Sequence, residues 1–374
     1  MELIVDGIIY LYQKYGGISQ LYTEILPRLC ELEPELTITL LTHPNGSPDC
    51  LPQHERIIHQ SIPNVHRFFR PHRFWNPYYS QICQLAVMAF LGRSKGKIWL
   101  STYYTSPIFW TGSQVLVAHD FIYEKYRTKY WQNKLSSEAD EMIRNKTSAI
   151  ARADLVICNS ETTRKDLMEL YHVPIYKTAM VHLAYKSTFT LMDVITVKQK
   201  KKFFLYVGNR NQYKDFDFLL YSYANWSGHF EIDLVCVGGG DWTDSERQSL
   251  VNYGVGNQVS LYPQVDDLQL CGLYNQASAF IYPSQYEGFG IPLLEAMACG
   301  CPVIASRIPS SIEIAGDVPI YFTPGNMDEL MVAMDQAAGE GRATPRTTEG
   351  LSLVHQYSWE KTAHGFLKAI RSVV

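Results

Sequence analysis

The chain has 374 residues, 46% of them apolar and 19% charged, with a formal net charge of −4. That length exceeds what one hydrophobic core usually serves, so two domains are expected. The acidic balance argues against a general nucleic-acid binder, which needs excess Lys and Arg to displace counterions from phosphates.

Taken in order, short β-rich runs alternate with helical patterns, the pattern of parallel sheets covered by helices. The opening Met1-Glu2-Leu3-Ile4-Val5-Asp6 lacks the basic flank and long apolar core of an export signal, so a cytoplasmic location is the expectation. Strands are predicted over 3–5, 37–41, 115–118, 155–158 and 179–182, with helices over 18–32, 136–153 and 161–171. The apolar run 82–91, interrupted by Gln84, is shorter than the roughly 18–20 residues a membrane span requires and reads as a buried helix. Residues 198–202, Lys-Gln-Lys-Lys-Lys, read as a solvated interdomain linker. Strands then recur at 203–207, 232–237, 259–262, 279–282, 303–305 and 320–322, separated by single helices, before an amphipathic helix over 359–374. The fold class is therefore α/β, two Rossmann-like domains with parallel sheets facing a central cleft. They cover residues 1–197 and 202–357, with 358–374 packing back onto the first. The eight cysteines include no CxxC pair, and most sit in apolar runs as small hydrophobes of a reducing compartment.

The most informative stretch is Tyr282-Pro-Ser-Gln-Tyr-Glu287-Gly-Phe289-Gly290-Ile291-Pro292-Leu293-Leu294-Glu295-Ala-Met-Ala-Cys-Gly300. A buried strand ends near Tyr282, a Gly-Phe-Gly turn follows, and Pro292 suits the first turn of a helix that Gly300 and Pro302 terminate. This geometry aims backbone N–H groups and a positive dipole at a guest, for which a diphosphate is suited, and the glycines allow close approach. Glu287 falls in the loop and Glu295 in the first helical turn, where acceptor-only carboxylates suit sugar and ribose hydroxyls. Taken singly, each acid has a plainer explanation, a solvated loop residue and a favourable helix-dipole charge; the combination is what points to a site.

The segment resembles the E-x7-E signature of glycosyltransferase family 4, followed by that family's Leu-Glu-Ala-Met-Ala-x-Gly-x-Pro-Val-Ile-Ala run from Leu294 to Ala305. The resemblance implies the GT-B fold, an acceptor-side first domain, a donor-side second domain and a reaction that retains anomeric configuration. It implies that Glu287 contacts the donor sugar and Glu295 the ribose, with Phe289, Gly290, Ile291, Pro292 and Leu293 in the donor-binding turn. Gly208-Asn-Arg210-Asn-Gln-Tyr213-Lys214 is similar to the family's strand–Gly–loop–Lys segment, whose cations neutralise the leaving diphosphate. Many relatives place Arg directly before the Lys, whereas Tyr213 stands here and Arg210 comes four residues earlier. Gly16 and Gly17 resemble the N-terminal loop on the acceptor and phosphate side, and His119, after a strand, resembles the histidine that positions the donor sugar. Ser160 resembles a helix cap, and Glu313 the acid near the nucleotide.

Asp215-Phe216-Asp217 spells a DxD, but it opens a helix where acids cap and favour the dipole, so no metal and no other cofactor is expected. The basic and aromatic run 66–75 suits an anionic membrane surface or an acceptor, and equally a loop whose aromatics anchor into the core, leaving peripheral contact at the inner membrane face open. Gly238-Gly239-Gly240 lacks the third glycine of a dinucleotide fingerprint, which disfavours an NAD oxidoreductase. The expected activity is metal-independent hexosyl transfer from a nucleotide sugar, with GDP-mannose first and UDP-sugars next, to a glycan or lipid-linked acceptor. A sugar-nucleotide hydrolase or epimerase on the same fold and a non-catalytic glycan-binding protein are the alternatives.

Overall fold

Among the residues described by the computed structural model, thirteen strands lie in two sheets whose pairings are all parallel. These residues are 1–13, 16–42, 50–62, 94–107, 109–130, 137–192, 201–210 and 212–374. The run 66–75, the apolar run 82–91, Lys14, Tyr15, Asn211 and residues 198–200 of the charge run lie outside them. By contacts the chain divides into two units. The first comprises Met1–Glu124, Trp131–Leu183 and Trp359–Val374, and the second Lys125–Tyr130 and Ala184–Ser358.

In the first unit, β1 (Glu2–Val5), β2 (Thr37–Thr42), β3 (Ile57–Ser61), β4 (Lys97–Ser101), β5 (Ser113–Ala118), β6 (Leu155–Cys158) and β7 (Thr178–Met180) are ordered β3-β2-β1-β4-β5-β6-β7. Helices α1 (Ile9–Tyr12), α2 (Gly17–Leu32), α3 (Ile122–Tyr130), α4 (Ser137–Arg152) and α5 (Glu161–Tyr171) connect them. Strands covered on both faces need continuous apolar runs, and β6 is buried at every residue. Ser160 caps α5 by accepting the Thr163 N–H at 2.9 Å.

In the second unit, β8 (Lys202–Val207), β9 (Ile232–Val237), β10 (Val259–Tyr262), β11 (Ala279–Tyr282), β12 (Val303–Ser306) and β13 (Ile320–Phe322) are ordered β10-β9-β8-β11-β12-β13. The helices are α6 (Phe216–Asn225), α7 (Asp244–Asn252), α8 (Asp267–Gln276), α9 (Ile291–Ala298), α10 (Pro309–Ala315), α11 (Met327–Glu340) and α12 (Pro345–Leu353). Phe204, Tyr206, Phe216, Leu219, Tyr223 and Leu234 are central to its core. Each such side chain, fully buried, contributes roughly 1.5–3 kcal/mol against chain entropy.

The last helix, α13 (Trp359–Arg371), packs within the first unit against α2. Its buried Trp359, Ala363, Phe366, Leu367 and Ile370 form one stripe at helical spacing. Thr362 donates to the His182 carbonyl at 2.9 Å. A Cβ on Gly365 would fall 2.7 Å from Val181, so the glycine permits the close approach.

Each sheet has one place where successive crossovers change direction, between β1 and β4 and between β8 and β11. In open α/β sheets ligands bind beyond the carboxyl ends of the strands at such points.

Candidate active site

Two loops of the second unit meet at the β8/β11 point. The loop after β8 begins with Gly208, whose φ of +139° favours glycine, although a Cβ there would meet nothing within 4 Å. It continues through a 3₁₀ turn, Gln212–Lys214, to Asp215, which holds the left-handed conformation at φ +53°. The loop after β11 runs from Pro283 to Gly290. Hydrogen bonds and an ion pair join them. The Gln285 N–H donates to the Tyr213 carbonyl at 2.8 Å, and the Gln285 amide donates to Asp215 Oδ2 at 2.7 Å. Lys214 Nζ meets Glu287 Oε1 at 2.6 Å, with both side chains mostly buried (15% and 11% exposed). The ammonium also lies 5.5 Å and 5.6 Å from the ring centres of Tyr213 and Tyr282. Burial, reinforced by the Glu287 charge, holds the Tyr282 phenol well above its ordinary range. The sequence reading brought Lys214 and Glu287 to one site through family resemblance; here they touch. Tyr126 Oη and Lys129 Nζ, from the segment that belongs with this unit, donate to the Gln285 carbonyl (3.1 Å) and side-chain oxygen (2.6 Å).

Asp215 was expected to cap the following helix. It stands at the cap position but makes no capping bond, because its carboxylate accepts from Gln285. Burial raises the pKa of both Asp215 and Asp217 above the usual carboxylate value. Among the described residues, no three His, Cys, Asp or Glu side chains are placed to hold a metal ion.

Helix α9 starts after Gly290, whose φ of +117° and close neighbour Leu293 (3.1 Å from a Cβ) both suit glycine. Pro292 lies in its first turn, and Leu293, Leu294, Ala296, Met297 and Ala298 are buried. Arg342 fastens the other end, donating to the carbonyls of Cys299 and Gly300 at 3.0 Å each and to those of Tyr274 and Ala277 beside α8. Phe289 is buried edge-on against Tyr357, with ring centres 6.2 Å apart. Because the helix begins at Ile291, Glu295 is its fifth residue and lies in the second turn, which corrects the first-turn expectation. There the dipole has largely faded, so the helix end does not explain the acid. Glu295 is buried, accepts from Tyr274 Oη at 3.3 Å, and is pushed up to about 7, first by burial and then by the Asp267 charge.

Arg210 is engaged differently from the sequence expectation. Its guanidinium pairs with Glu246 (Nε to Oε1, 2.6 Å) and donates to the carbonyls of Gly238, Gly240 and Asp241 at 2.5, 3.2 and 2.9 Å. It lies 4.8 Å from the Trp242 ring centre, and the side chain is 4% exposed. Glu246 also closes a capping box with Thr243. A cation whose donors are spent this way braces the left-handed turn Gly238-Gly239-Gly240 after β9, next to Gly208. Lys214 is left as the cation beside Glu287.

In the first unit, Asp6 directly follows β1 and spans the β1/β4 point. Its buried carboxylate accepts from the Thr102 N–H at 2.9 Å and from the hydroxyls of Thr102 and Thr105. His119 follows β5, 5% exposed, with Tyr22 and Tyr104 edge-on to its ring at 6.3 Å each. Its Nε2 stands 3.3 Å from the Thr102 carbonyl. Burial pushes its pKa down to about 4, so the ring is neutral at pH 7. Because a carbonyl only accepts, Nε2 carries the proton and Nδ1 the lone pair. Gly16 precedes α2, which starts at Gly17, and the end of the Gln13 side chain lies where a Gly16 Cβ would go. The Ser19 hydroxyl donates to the Gly16 carbonyl at 3.0 Å. Thus Gly16, Gly17 and His119 belong to the first unit and the other candidates to the second.

The sequence reading passed over Asp6, Tyr104, Gln285 and Glu246. Asp6 carried a signal, an acid followed by glycine directly after a strand; the other three act through partners distant in the chain.

Residues 188–349 match the profile of the family described as glycosyl transferases group 1, a stretch that includes both loops and α9. The chain is 29% identical over 248 residues to O-antigen chain mannosyltransferase B of Escherichia coli, covering 63% of this chain and 62% of that one. It is 28% identical over 240 residues to O-antigen chain mannosyltransferase RfbU of Salmonella typhimurium, covering 64% of each. The matches thus span just under two thirds of these relatives' length. Among solved structures, WaaG, a glycosyltransferase involved in lipopolysaccharide biosynthesis, has the same fold, with a TM-score of 0.73, 14% identity and full coverage of both chains.

Proposed function

We propose that this chain is a retaining, metal-independent glycosyltransferase that moves a hexose from a nucleotide sugar to a glycan or lipid-linked acceptor. Mannose from GDP-mannose is the first choice of donor, a choice supported by the mannosyltransferase names of the O-antigen relatives. The observation that carries the reading is the Lys214–Glu287 pair at the β8/β11 point, at the foot of the turn into α9. A diphosphate entering there draws the ammonium toward itself, stabilising the charge that develops as the nucleotide leaves. Glu287, released from Lys214, then accepts from a sugar hydroxyl, while N–H groups at the start of α9 face sugar and phosphate. Glu295 accepts from the ribose, His119 positions the sugar, and Gly16 and Gly17 let phosphate approach the backbone of the first unit. Arg210 serves this site by holding the turn after β9, not by contacting diphosphate.

The test is a panel of GDP- and UDP-sugars, assayed with and without acceptor extracts and with and without EDTA. Acceptor-dependent release of nucleotide, unaffected by EDTA and greatest with GDP-mannose, is expected. Release that ignores the acceptor would favour a hydrolase, and binding without turnover a glycan-binding protein.

A further inference from the structure

The His119 loop rests on a costly arrangement. Lys146, on α4, is 1% exposed, yet it carries a charge. Its ammonium donates to the Asp120 carbonyl at 3.1 Å, pairs with Glu124 at 3.0 Å, and lies 4.7 Å and 5.0 Å from the ring centres of Tyr104 and Phe121. Glu124 accepts a second bond from Tyr171 Oη at 2.8 Å. Tyr104, buried in the same cluster, has φ +55°, a conformation that residues with a Cβ rarely adopt. Its hydroxyl accepts the His119 N–H at 3.1 Å and donates to the Asp120 carbonyl at 3.3 Å. The Asn159 amide holds the His119 carbonyl at 2.9 Å.

An ordinary core has no need of these features. A buried ion pair is commonly no more stable than apolar residues of the same volume, and a left-handed tyrosine is strained. What they achieve together is to fasten the main chain of His119 and Asp120 at the N–H of His119 and the carbonyls of both residues. The ring is set by the same cluster: Tyr104 packs on its edge, and the carbonyl of Thr102, two residues before Tyr104, accepts from its Nε2–H.

We propose that Tyr104 and Lys146 are positioning residues that hold His119 in one tautomer and one orientation, with Nδ1 as the acceptor, for a hydroxyl of the donor sugar. This rests on the assignment of His119 to the sugar given above. Neither residue touches substrate. A displacement of the histidine by about 1 Å is enough to lower turnover by roughly 10- to 100-fold.

The experiment compares wild type with Tyr104→Phe, which keeps the ring and loses the hydroxyl. A second variant, Lys146→Met with Glu124→Gln, removes both charges and strands neither. Initial rates give kcat and the donor KM, melting curves confirm folding, and ¹H–¹⁵N correlation spectra of the imidazole report the His119 tautomer. The expected result is a kcat lower by about 10- to 100-fold, a donor KM within about twofold, and loss of the single Nε2–H tautomer in both folded variants. Folded variants that keep the wild-type tautomer and kcat overturn the proposal while leaving the glycosyltransferase reading intact. If wild type transfers no sugar at all, that reading fails, and the tautomer spectra alone still decide whether Tyr104 and Lys146 position the ring.

Discussion

Replacing Glu295 by glutamine separates what this carboxyl does for the fold from what it does for a ligand. Burial, with the Asp267 charge, pushes its pKa from an ordinary 4.5 to about 7, while Tyr274 and Lys186 pull the other way. Between those values the folded chain keeps a proton that the unfolded chain has released. The unfolded state binds fewer protons there, so stability falls as pH rises through the window and levels off above it. A displacement of this size corresponds to about 3 kcal/mol. In a unit of this size that is roughly 6–12 °C in melting temperature. Glutamine has no such titration and can still accept from Tyr274. Melting curves followed by near-ultraviolet circular dichroism should coincide for wild type and Glu295→Gln at pH 4.5, and the variant should melt about 10 °C higher at pH 8. Nucleotide affinity at pH 8 should move oppositely, because the amide is a poorer acceptor for ribose hydroxyls than a carboxylate. Parallel pH dependence in the two proteins would refute the reasoning.

Three further changes follow from the geometry. Lys214→Ala should weaken GDP binding by about 10- to 100-fold in isothermal titration, since one charge-assisted contact to diphosphate is worth about 1.5–3 kcal/mol; unchanged affinity would take Lys214 out of the site. Arg210→Ala should cost about 3 kcal/mol in urea unfolding, because it leaves Glu246 buried and uncompensated and frees the Gly238–Gly240 turn. Gly7→Ala should cost about 3 kcal/mol or more in the same assay, since φ is +56° and a Cβ would sit 2.1 Å from the Leu41 carbonyl oxygen.

Much of the fold is readable from local pattern. Strands β6, β9, β10, β11 and β13 and helix α5 have the bounds that apolar runs, glycines and the Ser160 cap indicate. β3 escaped because it is an edge strand whose His59, Gln60 and Ser61 disguise the alternation. β4 is a brief apolar run, Ile-Trp-Leu, with polar residues on both sides. The site was legible where chemistry is local, as in the Glu287-to-Gly300 segment. It was not legible where one side chain answers another far along the chain. Nothing near Arg210 announces Glu246, 36 residues on, and nothing near Asp215 announces Gln285, which takes the carboxylate that would otherwise cap α6. Glycines likewise differ in meaning: Gly7 is demanded by a backbone contact, whereas Gly208 is demanded by its own torsion angle alone.

The most direct measurement is transfer of labelled mannose from GDP-mannose by wild type and by Glu287→Ala, with folding of the variant verified by its melting curve. If the carboxylate bound to Lys214 faces the reacting sugar, the folded variant loses at least ~10²-fold in turnover. A folded Glu287→Ala protein that transfers sugar at the wild-type rate contradicts the account.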